Sequence, residues 1–204
     1  MGKSSKRWLQ EHDRDVYVKQ ARQTQYRSRA VYKLMEIDKQ DQLFRPGQTV
    51  IDLGAAPGSW SQYAAERTGS NGTVIAVDIL PVQPMDNVII VHGDFTEQKT
   101  VDECLERLDG RQADLVISDM APNISGIRTT DQARSMYLAE LTYDFASNVL
   151  KQGGDMLVKL FQGSGTDPYR QQLVDIFQRV KYRKPKASKD SSREFYILAQ
   201  GYTV

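Results

Sequence analysis

The stretch MLVKLFQG (156–163) sets Lys159 inside an otherwise apolar run, Met156, Leu157, Val158, Leu160 and Phe161, the pattern of a strand covered on both faces. A buried ammonium is costly unless it is paired or gives up its proton. A lysine at such a place snorkels from the strand's end, pairs with a carboxylate, or does chemistry. Acids recur where other apolar runs stop: Asp52, Asp78, Asp94 and Asp119. In an open α/β sheet, ligands bind at the carboxyl ends of the strands, near the point where strand order reverses. Asp78 follows the first glycine loop at a spacing that suits the two hydroxyls of a ribose. Asp94, with Phe95 beside it, suits the amino group and ring face of an adenine. Gly54 and Gly58, in GAAPGSW, let a ligand approach the backbone and open a helix. The loop is not G-x-G-x-x-G, which weighs against a dinucleotide.

The elements that must position these residues read clearly. A basic, helical lead-in covers 3–40, with SRAVYKLMEID as its most amphipathic part, and Pro46-Gly47 closes it. Strands are predicted at 49–53, 73–78, 88–94, 113–119 and 155–163, with two closing strands at 180–185 and 194–202. Helices are predicted at 61–69, around 98–109, at 131–150 and at 168–180. This alternation predicts an α/β fold: a doubly wound, mostly parallel seven-stranded sheet with a helical N-terminal extension over 1–40, the whole 1–204 chain forming one domain.

Composition narrows the function. The chain has 204 residues, 40% of them hydrophobic and 26% charged, as in ordinary globular proteins. No stretch approaches the roughly 18–20 apolar residues of a membrane span, and the amino terminus lacks an export signal. Cys104 is the only cysteine, so no intrachain disulfide or cysteine-rich metal site exists, and a reducing cytoplasm is expected. His12 and His92 are the only histidines, which disfavours hydrolases built on a histidine base. No metal is expected, and no apolar surface stripe stands out, so a monomer is expected. Of 27 basic and 26 acidic residues, segment 1–33 holds nine basic against three acidic, and segment 179–193 holds seven against Asp190. The rest of the chain is left with 11 basic and 22 acidic residues. Two basic segments on an acidic body favour a polyanion partner. Trp8, Tyr17, Tyr26 and Tyr32 interleave with the first segment, as stacking on RNA requires, though core packing gives the same spacing.

D-L-G-x-x-P-G-x-W resembles the first motif of S-adenosylmethionine (SAM) methyltransferases. Together SRAVYKL (28–34), VIDLGAAPGSWSQY (50–63), GDF (93–95), SDMAPNISG (118–126), LVKLFQG (157–163) and SREFYILA (192–199) resemble the FtsJ/RrmJ family of RNA ribose 2′-O-methyltransferases. Ser59 stands where that family usually has a second glycine. The resemblance implies SAM as cofactor, held by Gly54, Gly58, Trp60, Asp78, Asp94 and Asp119. It implies a catalytic set of Lys33, Asp119, Lys159 and Glu194. By likeness to the bacterial branch, the acceptor would be the ribose 2′-OH of a uridine in large-subunit (23S) rRNA, presented in the large ribosomal subunit, with the basic segments on the phosphate backbone. Transfer RNA or another structured RNA as acceptor, or a SAM-binding ribosome-assembly factor, are the alternatives. On this reading the protein must align the hydroxyl with the methyl and help remove one proton. Two roles are open to Lys159: an amine that takes that proton, or an ammonium that holds the hydroxyl oxygen.

Overall fold

The computed structural model describes residues 15–188 and 192–204. Trp8, Lys3, Lys6, Arg7 and Arg14 of the first basic segment, and Lys189 and Asp190 of the second, fall outside these residues. Seven strands are present: β1 Thr49–Leu53, β2 Thr73–Asp78, β3 Val88–His92, β4 Ala113–Ser118, β5 Leu150–Phe161, β6 Phe177–Arg183 and β7 Glu194–Tyr202. Among the described residues the helices are α1 Val16–Gln23, α2 Val31–Asp41, α3 Ser59–Thr68, α4 Gln98–Leu108, α5 Arg128–Val149 and α6 Thr166–Ile176.

The strands form one sheet in the order β3-β2-β1-β4-β5-β7-β6. β1 to β5 run parallel, and β7 runs antiparallel to both β5 and β6. The order reverses between β1 and β4, which puts the ligand crevice at their carboxyl ends. All five residues of β1 are buried, as a strand covered by helices on both faces must be. Ile51, Leu53, Ile75, Val77, Val116, Met156 and Val158 pack on one face with Phe145, Tyr169 and Leu173 of α5 and α6. Val50, Val74, Leu115, Ile117 and Leu157 pack on the other with Leu34 and Ile37 of α2 and Trp60 and Ala64 of α3. Strand side chains alternate between faces. Lys159 therefore shares the face of Leu157, the one that α2 covers.

The structure moves several predicted boundaries. Helix α5 starts at Arg128, not 131, because Asp131 in its first turn accepts the main-chain N–H groups of Ser125 and Gly126 at 2.8 and 3.1 Å. This fastens the preceding loop onto the helix. β5 starts at Leu150, directly after α5, and its pairing with β4 slips between Ala113–Leu150 and Leu115–Asp155. The predicted helix over 168–180 ends at Ile176 and becomes β6 at Phe177, three residues before the strand expected at 180. Phe177 and Val180 fit helical spacing, but Phe177 is buried against Tyr202 at 5.3 Å, so pairing with β7 outweighs local propensity. Cys104 is buried, and burial pushes its thiol up to about 11, which makes it a poor nucleophile. No helix among the described residues is long and apolar enough to cross a membrane.

Candidate active site

The loop after β1 is shaped by glycine. Gly54 sits at φ 74°, and a Cβ there would lie 2.1 Å from Met120 Cγ. The N–H groups of Gly54 and Ala55 both donate to the Val77 carbonyl, at 2.9 and 3.1 Å, which ties the loop to β2. Gly58 sits at φ 104° and opens α3, and a Cβ there would meet Met85 Cε at 2.6 Å. Only glycine takes both the left-handed backbone and the close approach without strain. Ser59 is not among the residues with positive φ; it is the first residue of α3, and its hydroxyl shares a 2.7 Å hydrogen bond with that of Ser28. Serine is thus conformationally ordinary at this position.

Of the acids assigned to the cofactor, Asp78 braces the same loop. Asp78 accepts the Ala56 N–H at 2.8 Å on one oxygen and the Leu80 N–H at 2.7 Å on the other. Each carboxylate oxygen keeps further acceptor capacity for a hydroxyl. Asp94 accepts the Thr96 N–H at 2.9 Å. Trp60 is buried; its indole N–H donates to Ala30 O at 2.8 Å and its ring lies 5.7 Å from that of Tyr196. It holds α3 against α2 and presents only part of its ring to the crevice. Ser28, Asp52, Gly54, Ala55, Trp60 and Asp119 line a cavity of about 50 Å³. Around it, a cradle of the glycine loop and the acids at the ends of β1, β2 and β4 offers acceptors for hydroxyls and negative charge for a cation.

Four charged side chains meet beside this cradle. Register pairs Ser118 with Val158, so Lys159 lies one step beyond the end of β4, level with Asp119. Lys159 Nζ is 3.0 Å from Asp119 Oδ1 and also donates to the Asp119 carbonyl. From α2, Lys33 Nζ reaches Glu194 Oε1 at 2.7 Å and lies 3.9 Å from Asp119 Oδ1. Glu194 begins β7, whose Tyr196 stands opposite Lys159. The Tyr196 hydroxyl donates to Asp119 Oδ1 at 2.5 Å. The exposure of these four charged side chains runs from 7% for Lys159 to 17% for Asp119. Burial pushes the Asp119 carboxyl up, but Lys159, Lys33 and the Tyr196 hydroxyl outweigh it and hold it below the usual carboxylate range. Burial likewise raises Glu194, and Lys33, then Lys159, carry it below its usual value against the opposing charge of Asp119. The Tyr196 phenol is pushed far up, first by burial and then by Asp119 and Glu194, so it stays a donor.

Thus the structure brings Lys33, Asp119, Lys159 and Glu194 into one cluster and sets Gly54, Gly58, Trp60 and Asp78 around the adjoining loop. Asp94 stands further along the strand ends, after β3. His92 is exposed, its Nε2 3.0 Å from Ile79 O, away from the cluster. Among the described residues, no group of three or more His, Cys, Asp or Glu could hold a metal.

Two contributors, Tyr196 and Arg27, escaped the sequence reading, and a third, Asp52, was read only as one of the strand-end acids. Tyr196 had a signal, since it follows Glu194 by two residues and so shares its face of β7. Arg27 donates to the carbonyls of Pro57, Gln83 and Pro84 at 3.2, 2.8 and 2.9 Å, clamping the glycine loop to the β2–β3 connection. Asp52 is buried under the loop, where its Oδ2 accepts the Ser61 hydroxyl at 2.5 Å. Burial, and then the charges of Asp119 and Asp78, push Asp52 up to about 7 against that hydrogen bond.

The second basic segment packs on α2, and Arg29 of the first donates to its Ala187 carbonyl at 2.5 Å. Glu36 accepts the N–H groups of Lys186 and Ala187 at 2.6 and 3.0 Å, and Asp41 pairs with Lys181 at 3.0 Å and Arg183 at 2.6 Å. The tyrosines of the first segment serve packing: Tyr32 is buried, Tyr17 lies 5.6 Å from its ring, and Tyr26 donates to Glu66 at 2.5 Å.

The chain is similar to proteins of one kind. The model of the FtsJ-like methyltransferase family matches residues 26–202. Ribosomal RNA large subunit methyltransferase E of Alkalilimnicola ehrlichii is 54% identical over 198 residues, 97% of this chain and 95% of the relative. The protein of that name from Azoarcus sp. is 55% identical over 196 residues, 96% of each chain. A crystal structure described as a ribosomal RNA methyltransferase from Plasmodium falciparum matches with a TM-score of 0.80 and 31% identity, over 87% of this chain and 98% of that one. Human methyltransferase-like protein 13, solved with SAH, shares the fold alone: its TM-score is 0.56 at 13% identity, over 84% of this chain and 80% of that one.

Proposed function

The chain belongs to the FtsJ-like methyltransferase family, and from that premise we propose that it moves a methyl group from SAM to the ribose 2′-OH of a uridine in large-subunit (23S) rRNA. The observation that carries the acceptor side is the four-residue cluster of Lys33, Asp119, Lys159 and Glu194 beside the glycine cradle. Bound SAM supplies a methyl already activated by its sulfonium. Gly54, Gly58 and the β1–α3 loop would hold it, with Asp78 on the ribose, Asp94 on the adenine side, and Asp52 and Asp119 facing its positive charge. The relatives' names speak of the ribosomal RNA large subunit, and the whole 1–204 chain would act as one methyltransferase domain on that RNA in the ribosomal particle.

An ammonium has three donor positions. Lys159 spends two on Asp119, the carboxylate and the main-chain carbonyl, which leaves one for the acceptor 2′-oxygen. There Nζ fixes the direction of attack, and the proton leaving the hydroxyl passes to it when it is an amine. Asp119 holds Nζ in place, itself held by Tyr196. Lys33 and Glu194 close the cluster on the α2 side, so that no charge in it lacks a partner. On this reading the enzyme works in the cytoplasm as a monomer, with the joined basic segments toward the phosphate backbone.

The test is transfer of tritiated methyl from SAM to large ribosomal subunits that lack the modification, followed by alkaline hydrolysis of the RNA. A 2′-O-methyl group blocks cleavage of the adjoining phosphodiester. The label should therefore appear in an alkali-resistant dinucleotide beginning with uridine. Label recovered only in mononucleotides would mean a base is the acceptor, and no transfer would remove the enzymatic reading.

A further inference from the structure

We propose that the cleft on the outer side of Glu194 binds a nucleotide of the RNA strand next to the acceptor, with its base on Tyr182 and its phosphate on Arg193 and Lys184. This rests on the functional reading above. The cleft has a volume of about 650 Å³, within the roughly 300–1,000 Å³ of ligand clefts. Gly163 and Thr166 line one wall, and the β6–β7 hairpin, with Tyr182, Lys184, Arg193 and Phe195, lines the other.

Two features select the occupant. One is the aromatic floor: Tyr182 is 44% exposed, and its ring is fixed by an edge-to-face contact with Phe195 at 5.4 Å and by the Arg170 guanidinium over it at 5.7 Å. The exposed part of this fixed ring, with the guanidinium beside it, is a platform for a base. The second is charge. Arg183 is answered by Asp41 at 2.6 Å, and Glu194 by Lys33 at 2.7 Å, so these two lining residues carry little net field. Lys184 instead donates only to carbonyls among the described residues, those of Ser192 and Glu194, at 2.6 and 2.5 Å, which leaves its charge uncompensated. Arg193 is exposed on the rim, and Arg170 lies 5.7 Å from the Tyr182 ring centre. Asp167 is the acid that remains to oppose them. Aromatic floor and cationic rim match one nucleotide. Glu194 borders both the cleft and the reacting cluster, so a strand lying across it continues from one into the other.

The experiment measures steady-state methyl transfer to unmodified large ribosomal subunits by the wild-type chain, Tyr182→Ala, Tyr182→Trp and Arg193→Glu, with SAM affinity measured for each. Tyr182→Ala should raise KM for the particle about tenfold while kcat holds, and Tyr182→Trp should restore it. Arg193→Glu should raise KM similarly and lower the slope of log KM against log salt by about one phosphate's worth. If Tyr182→Ala loses SAM affinity through misfolding, Arg193→Glu decides alone, because its exposed guanidinium carries no core packing. Unchanged KM in Arg193→Glu, or in a folded Tyr182→Ala, would overturn the cleft and leave the enzyme reading intact. A wild-type chain that transfers no methyl overturns both.

Discussion

Strands β4 and β5 carry an aspartate–lysine pair at each end, and the two pairs differ in every respect but composition. At the amino ends, Lys151 pairs with Asp114; the lysine is 48% exposed, and the carboxylate also accepts the Thr49 N–H at 2.7 Å. At the carboxyl ends, Lys159 pairs with Asp119, and the lysine is 7% exposed. The first pair keeps its water, and exposed pairs of this kind contribute about 0–1 kcal/mol. The second has lost its water, and such pairs break even only when every remaining donor and acceptor is met. Lys33, Tyr196 and the Asp119 carbonyl meet all of them but one donor of Lys159. A hydrophobic pair would serve the fold at least as well, and we propose that this one is kept for chemistry at the ligand crevice.

The largest expected effect is on Lys159. Lys159→Met should lower methyl transfer by about 10²–10⁴-fold, the range for a proton-transfer group, while SAM affinity is kept. Single-turnover transfer with SAM bound checks this.

Asp52 comes next. Its folded pKa is raised, so the sign runs opposite to that of a paired carboxylate. The protein is favoured while Asp52 is protonated and loses stability as pH rises from its ordinary 3.8 to about 7. The full loss is on the order of 4 kcal/mol. Asp52→Asn should flatten that slope in SAM-free protein, as read from urea midpoints at the two ends of the window. Asp119 and Glu194, both lowered, act the other way. Their stabilisation is complete above the usual carboxylate range and is lost as pH falls through their lowered values.

Tyr196→Phe is smaller. It removes one donor from a buried carboxylate, costing about 1–3 kcal/mol. The melting temperature should fall, and the Asp119 pKa should rise, carrying the acid limb of the melting profile to higher pH. An acid limb that stays in place would mean that Lys159 and Lys33 alone set the Asp119 charge.

The smallest effect belongs to Lys151. Lys151→Ala should change stability by no more than about 1 kcal/mol and leave methyl transfer as it was. A large loss of transfer here would erase the distinction between the two ends.

Lys159 was legible because a charge inside an apolar run stands out in one dimension, and the glycine loop because Gly54 and Gly58 are local demands of the backbone. The strands were legible for the same reason. The break between α6 and β6 was not, since the partner that makes Phe177 extended is Tyr202, 25 residues away in the chain. Arg27 acts through contacts 30 and more residues away in the chain, and neither its type nor its neighbours mark it; Tyr196 is marked only by its two-residue step from Glu194, and Asp52 only as a strand-end acid. The tyrosines of the first basic segment show the reverse failure. Their spacing fits RNA stacking and core packing alike, and only the burial of Tyr32 and the contact of Tyr26 with Glu66 decide for packing.

The most direct test of the central claim sets the two lysines side by side. Large ribosomal subunits lacking the modification are given SAM and either Lys159→Ala or Lys151→Ala, with SAM affinity measured for both. The account predicts near-total loss of transfer for Lys159→Ala, wild-type transfer for Lys151→Ala, and intact SAM binding in each. Transfer by Lys159→Ala at close to the wild-type rate would contradict it, and the buried pair would then be a structural feature only.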